Sequence, residues 1–199
     1  MYSIKESLEN TIIIKKSKFI TKLYKINDTE EINNILDKLK KEYKDSTHIC
    51  YAYILNGLEK CSDDGEPSGT AGLPILNILK KNNLTNILAV VIRYFGGIKL
   101  GAGGLVRAYS NSVNDTLKLT NIIELEEGYL VELEFSYDQV KLVDYMLNNK
   151  TIISKEYNDN IIYKFYLNKY ELNFIPELEK VATHVLVKDK ILIEKKNSD

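Results

Sequence analysis

The sequence contains no tryptophan, two cysteines, three prolines and only two arginines among 199 residues. Two cysteines are too few for a disulfide framework at this size, which favours a cytoplasmic protein with reduced thiols. No apolar run reaches the ~20 residues that cross a bilayer. Residues 1–20 do not fit a signal peptide, because Lys5, Glu6, Glu9, Lys15 and Lys16 interrupt the apolar positions. The formal net charge of -1 gives no global basic field, so a nucleic-acid surface would have to be a local patch.

The two arginines, Arg93 and Arg107, enclose a glycine-rich segment, and every other Lys/Arg position is lysine. Eight of the ten glycines fall between Gly65 and Gly104, so the unusual composition is concentrated in one part of the chain. A sequence rich in Lys, Asn and Ile indicates drift toward AT-rich codons, which tends to replace arginine by lysine. Two arginines retained in one place therefore indicate a need for a planar, forked donor that lysine does not reproduce.

Apolar periodicity predicts alternating strands and helices before residue 127. Apolar side chains at helical spacing between Ile32 and Tyr43 predict a helix that begins after the cap residue Asp28. The continuous apolar run 87–92 predicts a strand that is covered on both faces. The other predicted elements are strands over 11–14, 19–26 and 48–55, a glycine-rich loop over 57–72, a helix that begins near Pro74, and a helix over 105–119.

Residues 124–128 mark a candidate domain boundary, because the order of predicted elements changes there. The following segments are predicted as strand, helix, strand, strand, helix and strand, in the order 129–135, 137–147, 151–157, 161–167, 171–183 and 185–193. This βαββαβ order is typical of a ferredoxin-like domain. We therefore predict an α+β protein with an N-terminal domain over 1–127 and a ferredoxin-like C-terminal domain over 128–199.

The segment 93–107 combines a strand end, a glycine loop and a helix start, which is a layout suited to binding an anion. Free backbone N–H groups, together with Arg93, Lys99 and Arg107, would hydrogen-bond a phosphate or carboxylate. The known phosphate motifs do not match, since Ala102 stands where a P-loop has lysine and Val106 where a dinucleotide fingerprint has its third glycine. The alternative, given equal weight, is that the glycines serve tight packing while the arginines pair with the acidic residues of 63–66.

Metal binding and catalysis receive little support from the sequence. The acidic loop 63–66 lacks the ligand spacing of a calcium loop, which favours a charged turn paired with the arginines. His48, Cys50 and Cys61 lack a fourth zinc ligand at a sensible spacing. The acidic neighbours of Cys61 disfavour a thiolate. We therefore predict no metal, no cofactor and no catalytic residue.

Two long segments, 63–74 (DDGEPSGTAGLP) and 93–110 (RYFGGIKLGAGGLVRAYS), closely resemble the YigZ/IMPACT family, and 16–19 and 47–52 are similar to its N-terminal markers. The resemblance covers the whole chain. It implies an N-terminal IMPACT domain like the second domain of a small-subunit ribosomal protein, followed by a ferredoxin-like domain. Together these two domains resemble domains four and five of elongation factor G. The eukaryotic relatives act in translational control.

The resemblance implies a non-enzymatic regulator of translation that binds RNA, the ribosome or a translation factor. Two alternatives remain open: an enzyme or sensor for a phosphorylated small molecule or nucleotide, and a protein–protein regulator that uses no nucleic acid. No DNA-specific motif and no membrane segment is present, and the sequence leaves the oligomeric state open. The predicted binding surface comprises Asp63, Asp64, Gly65, Glu66, Pro67, Ser68, Gly69, Thr70, Arg93, Tyr94, Phe95, Gly96, Gly97, Lys99, Gly101, Gly103, Gly104 and Arg107.

Overall fold

The computed structural model describes residues 1–195, apart from the side chain of Asp189, and contains two compact units. The first unit is Met1–Glu124, and the second begins at Leu125. The strands of the first unit are β1 (Tyr2–Ile4), β2 (Leu8–Ile14), β3 (Ser17–Lys25), β4 (His48–Leu55), β5 (Leu58–Ser62) and β6 (Ile87–Tyr94). Its helices are α1 (Thr29–Glu42), α2 (Gly72–Lys81) and α3 (Ala102–Leu117).

The first unit is built on a five-stranded antiparallel sheet in the order β2-β3-β6-β4-β5. The apolar run of β6 is buried on both faces because helices cover the sheet on each side, as predicted. α1 covers one face with Ile32, Leu36 and Leu39, the apolar positions at helical spacing. α2 and α3 cover the other face. The predicted start of α1 is also confirmed, since the side chain of Asp28 accepts a hydrogen bond from the Glu31 N–H at 2.8 Å.

The second unit has the ferredoxin-like order that the sequence predicts. Its strands lie antiparallel in the order β10-β7-β9-β8, and α4 and α5 pack on one face around Val143 and Leu178. The first residues of β7, up to Glu124, belong to the first unit and pair with β1. The bounds are β7 (Ile122–Phe135), α4 (Val140–Met146), β8 (Thr151–Tyr157), β9 (Ile161–Asn168), α5 (Ile175–Leu178) and β10 (His184–Glu194).

Several predicted boundaries differ from the structure. The candidate boundary 124–128 lies within strand β7. The predicted domain division between residues 127 and 128 stays a prediction. The last four residues of the predicted C-terminal domain lie outside the described part of the chain. The helix predicted over 171–183 is wrong in extent, because a 3-10 segment (Lys169–Phe174) precedes a short α5. Pro176 has no N–H with which to continue an i→i−4 ladder from the preceding turn.

Two short strands, β1 and β5, were not predicted, and β5 occupies part of the segment expected to be a loop. None of the helices within residues 1–195 is both long and apolar enough to cross a bilayer.

Candidate functional site

The turn between β2 and β3 lies at the same end of the sheet as the first turn of α3. α3 runs in the direction of β3, because the hydroxyl groups of Thr21 and Ser112 are hydrogen-bonded and the ring of Phe19 packs edge-on against Tyr109, with centroids 5.3 Å apart. β6 ends there too, since Tyr94 pairs with a residue of early β3. We call the turn 15–18, the loop 95–101 and the first two turns of α3 together the glycine end of the sheet.

The acidic residues 63–66 belong to a longer loop, 63–71, which we call the acidic loop. A buried ion pair attaches this loop to the glycine end of the sheet. Arg93 Nη1 lies 2.5 Å from Glu66 Oε1, and the two side chains are only 6% and 3% exposed. The hydroxyl of Tyr109 donates to the same carboxylate oxygen at 2.7 Å. A buried carboxylate is stable only with such partners. Arg93 therefore pairs with an acidic residue of the loop, which is one of the two alternatives that the sequence leaves open. Because its guanidinium is buried, Arg93 does not fit direct contact with an external phosphate.

The other two carboxylates of the loop accept backbone N–H groups and do not pair with arginine. Asp63 accepts from Gly69 at 2.8 Å, Ala71 at 3.0 Å and Gly72 at 2.8 Å. The bonds from Ala71 and Gly72 satisfy two of the free N–H groups at the start of α2. Burial by itself raises the pKa of Asp63, but the backbone hydrogen bonds outweigh burial, and the pKa lies below its usual 3.8. Asp64 accepts from the N–H of Ile49 at 2.6 Å.

Three titratable side chains lie behind the loop: His48, Cys50 and Tyr109. His48 Nδ1 lies 2.8 Å from the carbonyl oxygen of Asp64, which only accepts, so Nδ1 carries the proton. Burial raises the pKa of Cys50 to about 12, and burial likewise raises the pKa of Tyr109 far above its ordinary value. Both groups are therefore protonated at neutral pH. Within residues 1–195 no three His, Cys, Asp or Glu side chains are grouped so as to hold a metal ion.

Phe95 stands at the surface of the glycine end, where its ring contacts Arg93 and hydrogen bonds hold the neighbouring backbone. Its ring is 46% exposed, and the guanidinium carbon of Arg93 lies 5.5 Å from the ring centroid. The Phe95 N–H donates to Thr47 Oγ1 at 2.9 Å, and the N–H of Gly96 donates to Ser17 Oγ at 3.1 Å. Thr47 and Ser17 are not in the surface predicted from the sequence, although both lie within the two shorter segments of the family resemblance.

The glycines of this end have two different roles. A Cβ on Gly96 would lie 2.0 Å from the carbonyl carbon of Lys16, so only glycine allows the loop to pack on the β2–β3 turn. A Cβ on Gly97, Gly101 or Gly103 would meet nothing within 4 Å, so the backbone there is open. The cap residue of α3, Gly101, has no side chain to occupy the free N–H groups, and the first turn of α3 carries no acidic residue.

Five cationic side chains of the glycine end are exposed: Lys15, Lys16, Lys18, Lys99 and Arg107. None of them forms an ion pair or hydrogen bond with another described residue. Arg107 follows Gly103 by four residues and therefore lies on the same side of α3. Lys99 and Arg107 belong to the surface predicted from the sequence, whereas the three lysines do not. The signals that could have identified these lysines are their concentration in a turn and, for Lys16 and Lys18, the family resemblance of 16–19.

The structure thus separates the predicted surface into exposed and internal residues. The exposed residues are Asp64, Gly65, Pro67, Ser68, Phe95, Gly97, Lys99, Gly101, Gly103 and Arg107. Asp63, Gly69, Tyr94, Gly96 and Gly104 are half-buried. Glu66, Thr70 and Arg93 are buried. The internal members support the loops, and the exposed members are available for contact.

Comparison with known proteins gives consistent matches along the chain. The family model of the Impact N-terminal domain matches residues 15–117. The IMPACT family member YvyE of Bacillus subtilis is 38% identical over 181 residues, which are 88% of this chain and 83% of that protein. The IMPACT family member YigZ of Escherichia coli is 34% identical over 161 residues, which are 77% of this chain and 79% of that protein.

A crystal structure of a hypothetical protein has a TM-score of 0.63 and 28% sequence identity, and the match covers 99% of this chain and 98% of that one. The segment matched by the family model contains both the acidic loop and the glycine end. The resemblance inferred from the sequence is therefore confirmed, and this chain belongs to the IMPACT family.

Proposed function

We propose that this protein is a non-enzymatic, cytoplasmic regulator of translation that binds RNA, free or within the ribosome, through the glycine end. One observation carries the proposal: five exposed cationic side chains without partners among the described residues lie at one end of one sheet. The formal net charge of the chain is -1, so these charges form a local patch and do not belong to a general basic surface. Polyphosphate backbones are the ligands that such patches attract.

The carboxylates of the acidic loop form no ion pair with the cations of the patch, because each has a partner elsewhere in the protein. Glu66 forms an ion pair with Arg93, Asp63 accepts three backbone N–H groups, and Asp64 accepts from Ile49. The open backbone at Gly97 and Gly103 allows a phosphate to approach closely. Lys99 and Arg107 therefore contact the ligand in this proposal, whereas Arg93 holds the loop from inside.

Membership of the IMPACT family supports the translational setting, since the family resemblance implies such a role. The two free cysteines, Cys50 and Cys61, are compatible with a reducing compartment. The raised thiol pKa of Cys50 gives no support to an enzyme that uses this residue as a nucleophile.

The test is binding of the full chain to fluorescently labelled RNA and to purified ribosomes over a series of salt concentrations. Affinity is expected to fall as salt rises, with a slope of about 0.7 per phosphate contact for a single strand. Arg107→Ala and Lys99→Ala should each weaken binding and reduce that slope by roughly one contact. Lys38→Ala is the matched control, because Lys38 is an exposed lysine on α1. No binding at low salt, or an equal loss in the Lys38 variant, would reject the proposal.

Two further measurements separate the remaining alternatives. A nucleotide or phosphorylated metabolite present at about 100 times its dissociation constant would stabilise the protein by ~2.7 kcal/mol, which a thermal-shift screen detects. A partner that is still captured after nuclease treatment would indicate a protein ligand. A flat screen together with nuclease-sensitive capture is the result that we expect.

A further inference from the structure

We infer, on the basis of the proposed RNA-binding function, that Phe95 is a stacking platform for an unpaired base and that the ligand is therefore single-stranded RNA. The proposed function requires only that phosphates bind the cationic side chains. This inference adds the part of the RNA that is recognised and the residue that contacts it.

The first support is that the Phe95 ring is exposed while the backbone that carries it is fixed by hydrogen bonds. The ring is 46% exposed, although burial of an aromatic ring away from water is favourable. The hydrogen bonds to Thr47 and Ser17 fix the backbone on either side of it, and Arg93 lies against the ring at 5.5 Å. A ring that is already fixed loses little conformational entropy when a base stacks on it.

The second support is the charge carried by the turn 15–18, which packs next to Phe95. The backbone of Lys16 contacts Gly96, the residue after Phe95. Lys18 pairs with Tyr94, the residue before Phe95, so its side chain lies on the other face of the sheet from Arg93. Neither lysine has an acidic partner among the described residues. An exposed aromatic ring beside unpaired cations is the combination by which proteins bind single strands, with stacking on the base and ion pairs to the backbone.

A duplex does not satisfy this arrangement. The faces of its bases are covered by neighbouring pairs, and duplex RNA is recognised by shape and by contacts to phosphate and 2′-hydroxyl groups. The exposed apolar neighbours Ile98 and Val106 extend the apolar surface around the ring, which is also compatible with a protein partner. Titration with a single strand and with a duplex distinguishes the two forms of RNA.

The absence of tryptophan from the chain provides a direct test. Phe95→Trp introduces a single tryptophan at the proposed platform, and a base that stacks on its indole should quench the fluorescence. Tyr145→Trp is the control, because Tyr145 is a 76% exposed aromatic residue of α4 in the second unit. Each variant is titrated with an unlabelled single-stranded RNA of ten nucleotides and with a duplex of the same length, while binding is measured independently by anisotropy.

We expect the single strand to quench the tryptophan at position 95 but not the one at position 145, and the duplex to quench neither. Phe95→Ala should weaken single-strand binding by roughly 5- to 150-fold, the range that corresponds to stacking of one base. Phe95→Tyr should retain binding because the ring is retained. The salt dependence of the Phe95→Ala variant should match that of the parent, since the ring carries no charge.

RNA binding by anisotropy without quenching at position 95, or equal weakening of single-strand and duplex binding by Phe95→Ala, would overturn the stacking inference and leave the proposed function standing. No RNA binding by the unmodified chain at low salt would overturn both.

Discussion

Arg93 and Glu66 form an ion pair that is almost completely enclosed, with Nη1 and Oε1 2.5 Å apart. The pair fixes the acidic loop to the end of β6, although the two residues are 27 positions apart. Lysine would not replace this arginine, because the planar guanidinium also reaches Ser17 Oγ at 3.4 Å and lies near the rings of Phe19 and Phe95. Retention of arginine at position 93 thus has a structural explanation.

Removal of the guanidinium should strongly destabilise the first unit. In Arg93→Ala the Glu66 carboxylate stays buried and keeps Tyr109 as its nearest donor, so we expect a loss of about 3–5 kcal/mol in the free energy of unfolding. Urea denaturation of the full chain measures the loss. Arg107→Ala is the control, because an exposed arginine without a partner in the described residues should change stability by less than ~0.5 kcal/mol. Equal effects of the two substitutions would contradict the structural role of the ion pair.

The parts of the fold that the sequence predicts well are those in which burial is periodic or continuous. Helix α1 has one apolar stripe, and strand β6 is one continuous apolar run. Both are buried in the core as expected. Strand β5 has no such pattern, because it is a mostly exposed edge strand whose pairing with β4 determines its structure. The 3-10 segment before α5 has helical spacing in its sequence, but Pro176 prevents a continuous α-helix.

The sequence predicted many of the residues that make up the candidate site but not which of its charged side chains pair with each other. The sequence shows that acidic residues and arginines are concentrated in two segments, yet it does not determine which carboxylate pairs with Arg93. Glu66 does so, whereas Asp63 caps α2, because helix α2 begins close to it in the fold. The lysine-rich turn joins the site only because Gly96 lacks the Cβ that would collide with Lys16.

Gly96→Ala should be destabilising, whereas Gly103→Ala should not. A Cβ at position 96 would overlap the backbone of Lys16 at 2.0 Å, so either the loop or the β2–β3 turn must move. We expect a cost of about 1–3 kcal/mol or more, typical of overpacking. Gly103 lies in α3 with open space around it, and alanine there should stabilise the protein by up to ~1 kcal/mol. Urea denaturation of the two variants provides the comparison, and a neutral Gly96→Ala would contradict the tight contact.

The contribution of Asp63 to stability should depend on pH. Its pKa in the folded protein lies below the usual 3.8, so the ionised form stabilises the fold above about pH 4, and this stabilisation is lost as the pH falls through the folded-state pKa. Asp63→Ala should therefore cost ~2 kcal/mol at pH 7, as expected for loss of a helix cap, and less at pH 3. Urea denaturation at both pH values tests this. Asp37→Ala, at an exposed position of α1, should be nearly neutral at both, and a pH-independent cost of Asp63→Ala would refute the linkage.

The two thiols should differ in reactivity because their environments differ. Cys61 is exposed, whereas Cys50 is buried, donates to the Asp63 carbonyl at 3.0 Å and has a pKa raised to about 12 by burial. A thiol-exchange reagent at pH 7.5 should therefore modify one thiol in the native chain and two in urea. Reaction at Cys61 should also be slow, because the pKa of its thiol is raised. The larger cause is partial desolvation of the thiol, and the smaller cause is the negative charge of Asp63. Cys61→Ser should abolish the native reaction, and Cys50→Ser should leave it intact. Rapid modification of Cys50 in the folded protein would show that the interior behind the acidic loop opens readily, because a protonated thiol in a closed core cannot reach the reagent.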